Sequence, residues 1–90
     1  MIKIGVIGGG SSYTPELLEG LLDKREILNL GEIALMDINT ERLDILGALG
    51  TRMAEKAGAQ VRVSTTPSVE EAVDGAAYVV TQFRAGGMAA

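Results

Sequence analysis

Residues 2–15, IKIGVIGGGSSYTP, constrain the fold more than any other stretch of the chain. Ile2, Ile4, Val6 and Ile7 are β-branched and closely spaced, as in a parallel strand covered on both faces. Gly8, Gly9 and Gly10 then end the strand pattern, and from Leu17 the apolar spacing becomes helical. A strand that feeds a helix through such a turn presents backbone N–H groups at the helix start. A pyrophosphate can approach there without meeting a Cβ. The order of elements predicts a dinucleotide site at this first turn.

The fingerprint G-x-G-x-x-G is incomplete, because Tyr13 stands where the third glycine would allow close helix–strand packing. Three glycines also make an ordinary sharp turn. Ser11 and Ser12 offer hydroxyls to phosphate oxygens, although serines in turns also bond their own backbone. Thr14 and Pro15 read as N-cap and first residue of a helix over about 14–26. Glu16 suits the positive end of its dipole, and Leu17, Leu18, Leu21 and Leu22 supply its apolar face. Gly20 lowers helicity and is expected to permit close packing on a sheet.

A second strand follows from Glu32 to Ile38, apolar on both faces at its centre. Asn39 and Thr40 form the next turn and cap. A helix from about Glu41 to Ala57 carries Leu43, Leu46, Leu49 and Met53 along one stripe. Gly47 and Gly50 mark another close helix–sheet approach, and Gly58 stops the helix at the C′ position. Gln60 to Thr65 alternates as a half-exposed third strand, with Val61 and Val63 inward. Ser68-Val69-Glu70-Glu71 is a capping-box pattern that opens a short helix ending near Gly75, and Ala77 to Gln82 is the last strand.

The order β-α-β-α-β-α-β predicts an α/β, Rossmann-like parallel sheet, strand order 3-2-1-4, an incomplete doubly wound domain. Its fourth strand would leave a bare apolar edge, which natural proteins avoid. Residues 1–90 are therefore expected to be the amino-terminal part of a dinucleotide-binding domain whose remainder lies outside them, or to have that edge covered by a partner.

Charge and composition narrow the function. The net charge is −4, and the eight basic residues form no patch, which argues against nucleic acid as a partner. The sequence shows no apolar run of membrane-spanning length and no signal-like start, so a soluble cytoplasmic protein is expected. Cysteine and histidine are both absent, which removes thiolate nucleophile, imidazole base and the borderline-soft metal ligands. The acidic residues show no metal-ligand spacing either. Catalytic and metal-ligating residues are expected outside this chain.

Asp37, at the end of the second strand, is placed to accept hydrogen bonds from both adenosine ribose hydroxyls and to repel a 2′-phosphate, which favours NAD over NADP. It follows Gly8 by more than the usual ~20 residues, an interval that the extended helix and the LNLGE connection absorb. The alternative role is a turn or cap before the next helix. Arg42 reads as a solvated helix residue or a 2′-phosphate contact. Thr65, Thr66, Thr81, Gln82 and Arg84 fall at the strand ends where ligands of open α/β sheets bind, and ordinary loop bonding is the competing reading for each. Glu70 and Glu71 belong to the capping pattern.

The segments GVIGGGSSYTPELLEGLL (5–22), GEIALMDI (31–38), ERLDILGAL (41–49) and VVTQFRAGG (79–87) together resemble the amino-terminal region of the NAD- and metal-dependent glycoside hydrolases of family four, most closely the 6-phospho-β-glucosidase branch. That family tolerates a non-glycine where Tyr13 stands. The resemblance implies hydrolysis of a phosphorylated sugar glycoside without the usual carboxylate pair. Bound NAD⁺ transiently oxidises C3, a divalent metal, commonly manganese, polarises the sugar oxygens, and a tyrosine base removes the C2 proton before elimination and water addition. The family's Cys and His metal ligands and its base come later in the chain. Carried over by position, Gly8, Gly10, Ser11 and Ser12 contact the pyrophosphate, Asp37 the adenosine ribose, and Gln82 and Arg84 the nicotinamide end. A homo-oligomer is also implied. The competing readings are an inert NAD-binding module and a lactate/malate-type dehydrogenase fragment.

Overall fold

The computed structural model describes residues 1–8 and 13–82. In chain order these form β1 (Ile2–Ile7), α1 (Thr14–Asp23), α2 (Arg25–Leu28), β2 (Leu30–Met36), α3 (Thr40–Lys56), β3 (Arg62–Thr66), α4 (Val69–Val73) and β4 (Tyr78–Thr81). The four strands make one sheet in the order β3-β2-β1-β4, parallel throughout, as the alternation of elements requires.

Strand alternation sorts the side chains into two layers. Ile4 and Val6 of β1 and Ile33 and Leu35 of β2 pack with Leu18 and Leu22 of α1 and Leu43 and Leu46 of α3. Burying a side chain such as Leu18 completely contributes about 1.5–3 kcal/mol. Ala34 and Met36 face the other way and meet Ala72 of α4, with Ile7 beside them. Helices α1 and α3 therefore cover one face and α4 the other. Small residues set the layer spacing. A Cβ on Gly5 would lie 2.6 Å from the Ala72 carbonyl oxygen, and one on Gly47 would lie 2.5 Å from Thr65 Cγ2. Lys3 Nζ donates to the Glu71 and Asp74 carbonyls at 2.8 Å each, which ties the C-terminal end of this five-residue helix to β1.

Local departures from expectation have local causes. The first helix breaks at Lys24 (φ −102°, ψ 15°), and a separate turn, α2, ends at Asn29 in the left-handed region (φ 54°). This break turns the chain so that Leu30 enters the core and Asn29 O accepts from Ile2 N at 2.8 Å. Thr14 is not the N-cap: Tyr13 holds that position without a side-chain capping bond to the helix, and Thr14 and Pro15 are the first two helical residues. Gly20 is exposed, and among the described residues nothing lies within 4 Å of where its Cβ would stand, so it makes no close helix–sheet approach. The capping pattern at α4 is half formed. Ser68 Oγ accepts from Glu71 N, but Glu71 Oε2 accepts from Thr66 Oγ1 instead of reaching back to Ser68 N.

Tyr78 and Val79 on β4 are exposed, and among the described residues β4 pairs only with β1. No helix among these residues is long and apolar enough to cross a membrane.

Candidate functional site: the turn between β1 and β4

From β1 the chain winds outward through β2 to β3, then returns by α4 to place β4 on the opposite side of β1. The point of reversal lies between the C-terminal ends of β1 and β4, where open α/β sheets leave a crevice for ligands. Gly8 stands at this point. Its N–H donates to Met36 O at 2.8 Å, and Ile7 O accepts from Gln82 N at 2.9 Å, so the turn is pinned to both neighbouring strands. Gly8 has φ +86°, and a Cβ there would lie 2.8 Å from the backbone oxygen of Gln82. Conformation and space both demand glycine.

Asp37 directly follows β2 and is half-buried. Its Oδ1 accepts from Asn39 N at 3.0 Å, and Asn39 Oδ1 accepts from Arg42 N at 3.2 Å to cap α3. The turn role read from sequence is real. An ionised carboxylate has room for about four donors, so this bond is compatible with holding a ribose. What α3 draws from Arg42 in this cap is its backbone N–H.

Thr66 is excluded by its own bonding. It is buried, donates to Glu71 Oε2 at 3.0 Å and accepts from Ser68 N at 3.0 Å, so it shapes the β3–α4 turn. Thr65 turns its methyl toward Gly47. Thr81 is exposed and pairs with Ile7. Gln82 is half-buried beside Gly8, and its Nε2 is buried with no partner. Among the expected site residues, the structure thus gathers Gly8, Asp37 and Gln82 at one sheet edge. Gly10, Ser11, Ser12 and Arg84 lie outside the described residues.

Sequence reasoning missed Thr14. It is completely buried, and its Oγ1 has no hydrogen-bond partner. Tyr13, at the position of the fingerprint's third glycine, is 59% exposed, while Thr14 beside it is completely buried. The available signal was the small residue just after the tyrosine, which a capping assignment absorbed.

Two hollows, of about 530 and 410 Å³, lie at the opposite sheet edge, around Leu22, Arg25 and Met53 and around Met1, Asn29 and Val61. They are far from the turn because α1 and α3 run antiparallel to the strands and end there. Among the described residues no group of three or more acidic, cysteine or histidine side chains is placed to hold a metal. The turn itself suits a dinucleotide: it offers a cradle that a Cβ would fill, an acid after the neighbouring strand and buried polar groups awaiting partners.

Residues 3–90 match the profile described as family 4 glycosyl hydrolase. A probable 6-phospho-β-glucosidase of Bacillus subtilis is 46% identical over 87 residues, covering 94% of this chain and 20% of the relative. The 6-phospho-β-glucosidase of Thermotoga maritima, solved with manganese, NAD⁺ and glucose-6-phosphate, superimposes with TM-score 0.84 at 41% identity, over 98% of this chain and 21% of that one. A 6-phospho-α-glucosidase from gut microorganisms, solved with NAD and Mn²⁺, gives TM-score 0.84 at 27% identity, over 98% of this chain and 20% of that one. The chain thus spans about a fifth of the length of the relatives it matches, and the strand order and Rossmann-like fold expected from sequence are those observed.

Proposed function

The chain belongs to glycosyl hydrolase family 4, and we propose that it is the NAD-binding front of a 6-phospho-glycosidase. One observation carries this reading: a glycine turn pinned between two parallel strands at the reversal point of the sheet, with Asp37 just past the neighbouring strand. The matched relatives support it, since NAD accompanies both the α- and the β-specific structures.

In this reading Gly8 clears the way for the pyrophosphate, which Gly10, Ser11 and Ser12 also contact. Asp37 accepts the two adenosine ribose hydroxyls, and its charge opposes a 2′-phosphate. Gln82 and Arg84 line the nicotinamide end. The bound cofactor supplies reversible oxidation at C3 of the sugar, which makes elimination of the aglycone and addition of water feasible. The ligands of the metal, manganese in the matched structures, are supplied by residues outside 1–90, because these contain neither Cys nor His, and the tyrosine base that the family uses also comes from later in the chain. The substrate is a sugar phosphate, a charged metabolite that fits a cytoplasmic setting. Its anomeric configuration is decided elsewhere in the protein, since α- and β-specific relatives share this front.

The natural gene product should hydrolyse a chromogenic 6-phosphoglycoside only when both NAD⁺ and Mn²⁺ are restored after exhaustive dialysis against chelator. Full activity without either would overturn the assignment. Accumulation of free NADH with net oxidation of the sugar would instead identify a dehydrogenase.

A further inference from the structure

Two buried polar atoms without partners occur among the described residues, Thr14 Oγ1 and Gln82 Nε2. Burial of such groups without a hydrogen bond is unfavourable, and native structures seldom leave it so unless a ligand or water completes the bonding. Both atoms belong to the same corner of the fold. Thr14 is the first residue of the ten-residue helix α1 and has no exposed surface. Gln82 follows β4, and Val80, two residues earlier, packs into the core layer that α1 covers. The period of two places Gln82 on that same face.

Their chemistry is also complementary to one kind of guest. The amide nitrogen only donates, and the hydroxyl can donate, so what both lack is an oxygen acceptor. The start of α1 adds the favourable electrostatics of a helix N-terminus for an anion. We propose that Thr14 is a cofactor-binding residue: its hydroxyl is completed by a diphosphate oxygen of the bound dinucleotide, and the Gln82 amide by an oxygen of its nicotinamide half. This assignment rests on the NAD reading above. It makes the pocket a place where the fold is left polar and unsatisfied until the ligand arrives, so cofactor affinity is gained at the expense of apo stability.

The test uses the natural gene product and three variants, Thr14→Val, Thr14→Ser and Gln82→Met, with NAD⁺ titrated calorimetrically and the melting temperature of the apo protein measured in parallel. Valine keeps the shape of threonine and removes only the hydroxyl's bonding capacity. Thr14→Val should weaken NAD⁺ roughly 10-fold or more, as loss of a hydrogen bond to a charged group does. Its apo melting temperature should equal or exceed that of the wild type. Thr14→Ser should restore most of the affinity, and Gln82→Met should weaken binding with the same unchanged or raised apo melting temperature. A Thr14→Val protein with wild-type affinity overturns the proposal. So does a lowered apo melting temperature in that variant, because it would show that the hydroxyl already has a partner, such as a trapped water, before the cofactor binds. Failure of the wild type to bind NAD⁺ would overturn the functional reading itself, whereas wild-type binding with an indifferent Thr14→Val overturns this inference alone.

Discussion

Replacing Gly8 with alanine tests how the turn is held, because two separable penalties act at one methyl group. The first is conformational: φ is +86°, where an L-residue with a Cβ is strained. The second is steric, since the new Cβ would stand 2.8 Å from the Gln82 backbone oxygen. That oxygen has little freedom to retreat, because Gln82 N is itself bonded to Ile7 O at 2.9 Å. Relief requires prising β4 from β1. Strain of about 1–2 kcal/mol for the left-handed residue and about 1–3 kcal/mol for overpacking predict a loss of about 2–5 kcal/mol. Gly58→Ala supplies the internal control. Gly58 also has positive φ (+68°), but nothing lies within 4 Å of its Cβ position, so it should lose only the conformational part. Equilibrium urea unfolding of both variants, with calorimetric NAD⁺ titration, separates the terms. Gly8→Ala should exceed Gly58→Ala by the steric part and should also lose NAD⁺ affinity by widening the crevice. Equal losses for the two variants, with NAD⁺ affinity intact at Gly8→Ala, would refute the pinned-turn argument.

Two further outcomes follow from the same geometry. Gly20→Ala should stabilise the protein by about 0.5–1 kcal/mol, the helix-propensity difference, because the site is an exposed helix interior with open space around it; a loss in urea unfolding would show a hidden close contact. Asp37→Ala should weaken NAD⁺ by about 1.5–3 kcal/mol in a binding titration, the range for a hydrogen bond to a charged group, and unchanged affinity would remove Asp37 from the cofactor site.

Much of the candidate site was legible in the chain because its signals are local. Gly8 is read from a strand pattern stopped by glycine, and Asp37 from an acid after an apolar run. Asn39 is read from its place before a helical stripe, and the structure shows it accepting from Arg42 N as such a cap should. Thr14 was misread for an equally physical reason. A threonine before proline has the local chemistry of a cap, whereas in the tertiary structure it is the first helical residue and is completely buried. Thr66 shows the converse, a residue at the ligand-binding edge whose hydroxyl is claimed by Glu71.

The sequence by itself determined the order of elements, and with it the parallel sheet and the position of its reversal. Those features follow from hydrophobic period and glycine placement, which act within a few residues, and from the single handedness of the crossovers. The tertiary structure alone decided which small residues are indispensable: Gly5 against the Ala72 carbonyl, Gly47 against Thr65 and Gly8 against Gln82, but not Gly20. It also decided which polar groups are spent on the fold, as Thr66 Oγ1 is on Glu71, and which are buried without a protein partner, as Thr14 Oγ1 and Gln82 Nε2 are. Both outcomes depend on atoms distant in the chain arriving within a few ångströms of one another, and no window of sequence contains both partners.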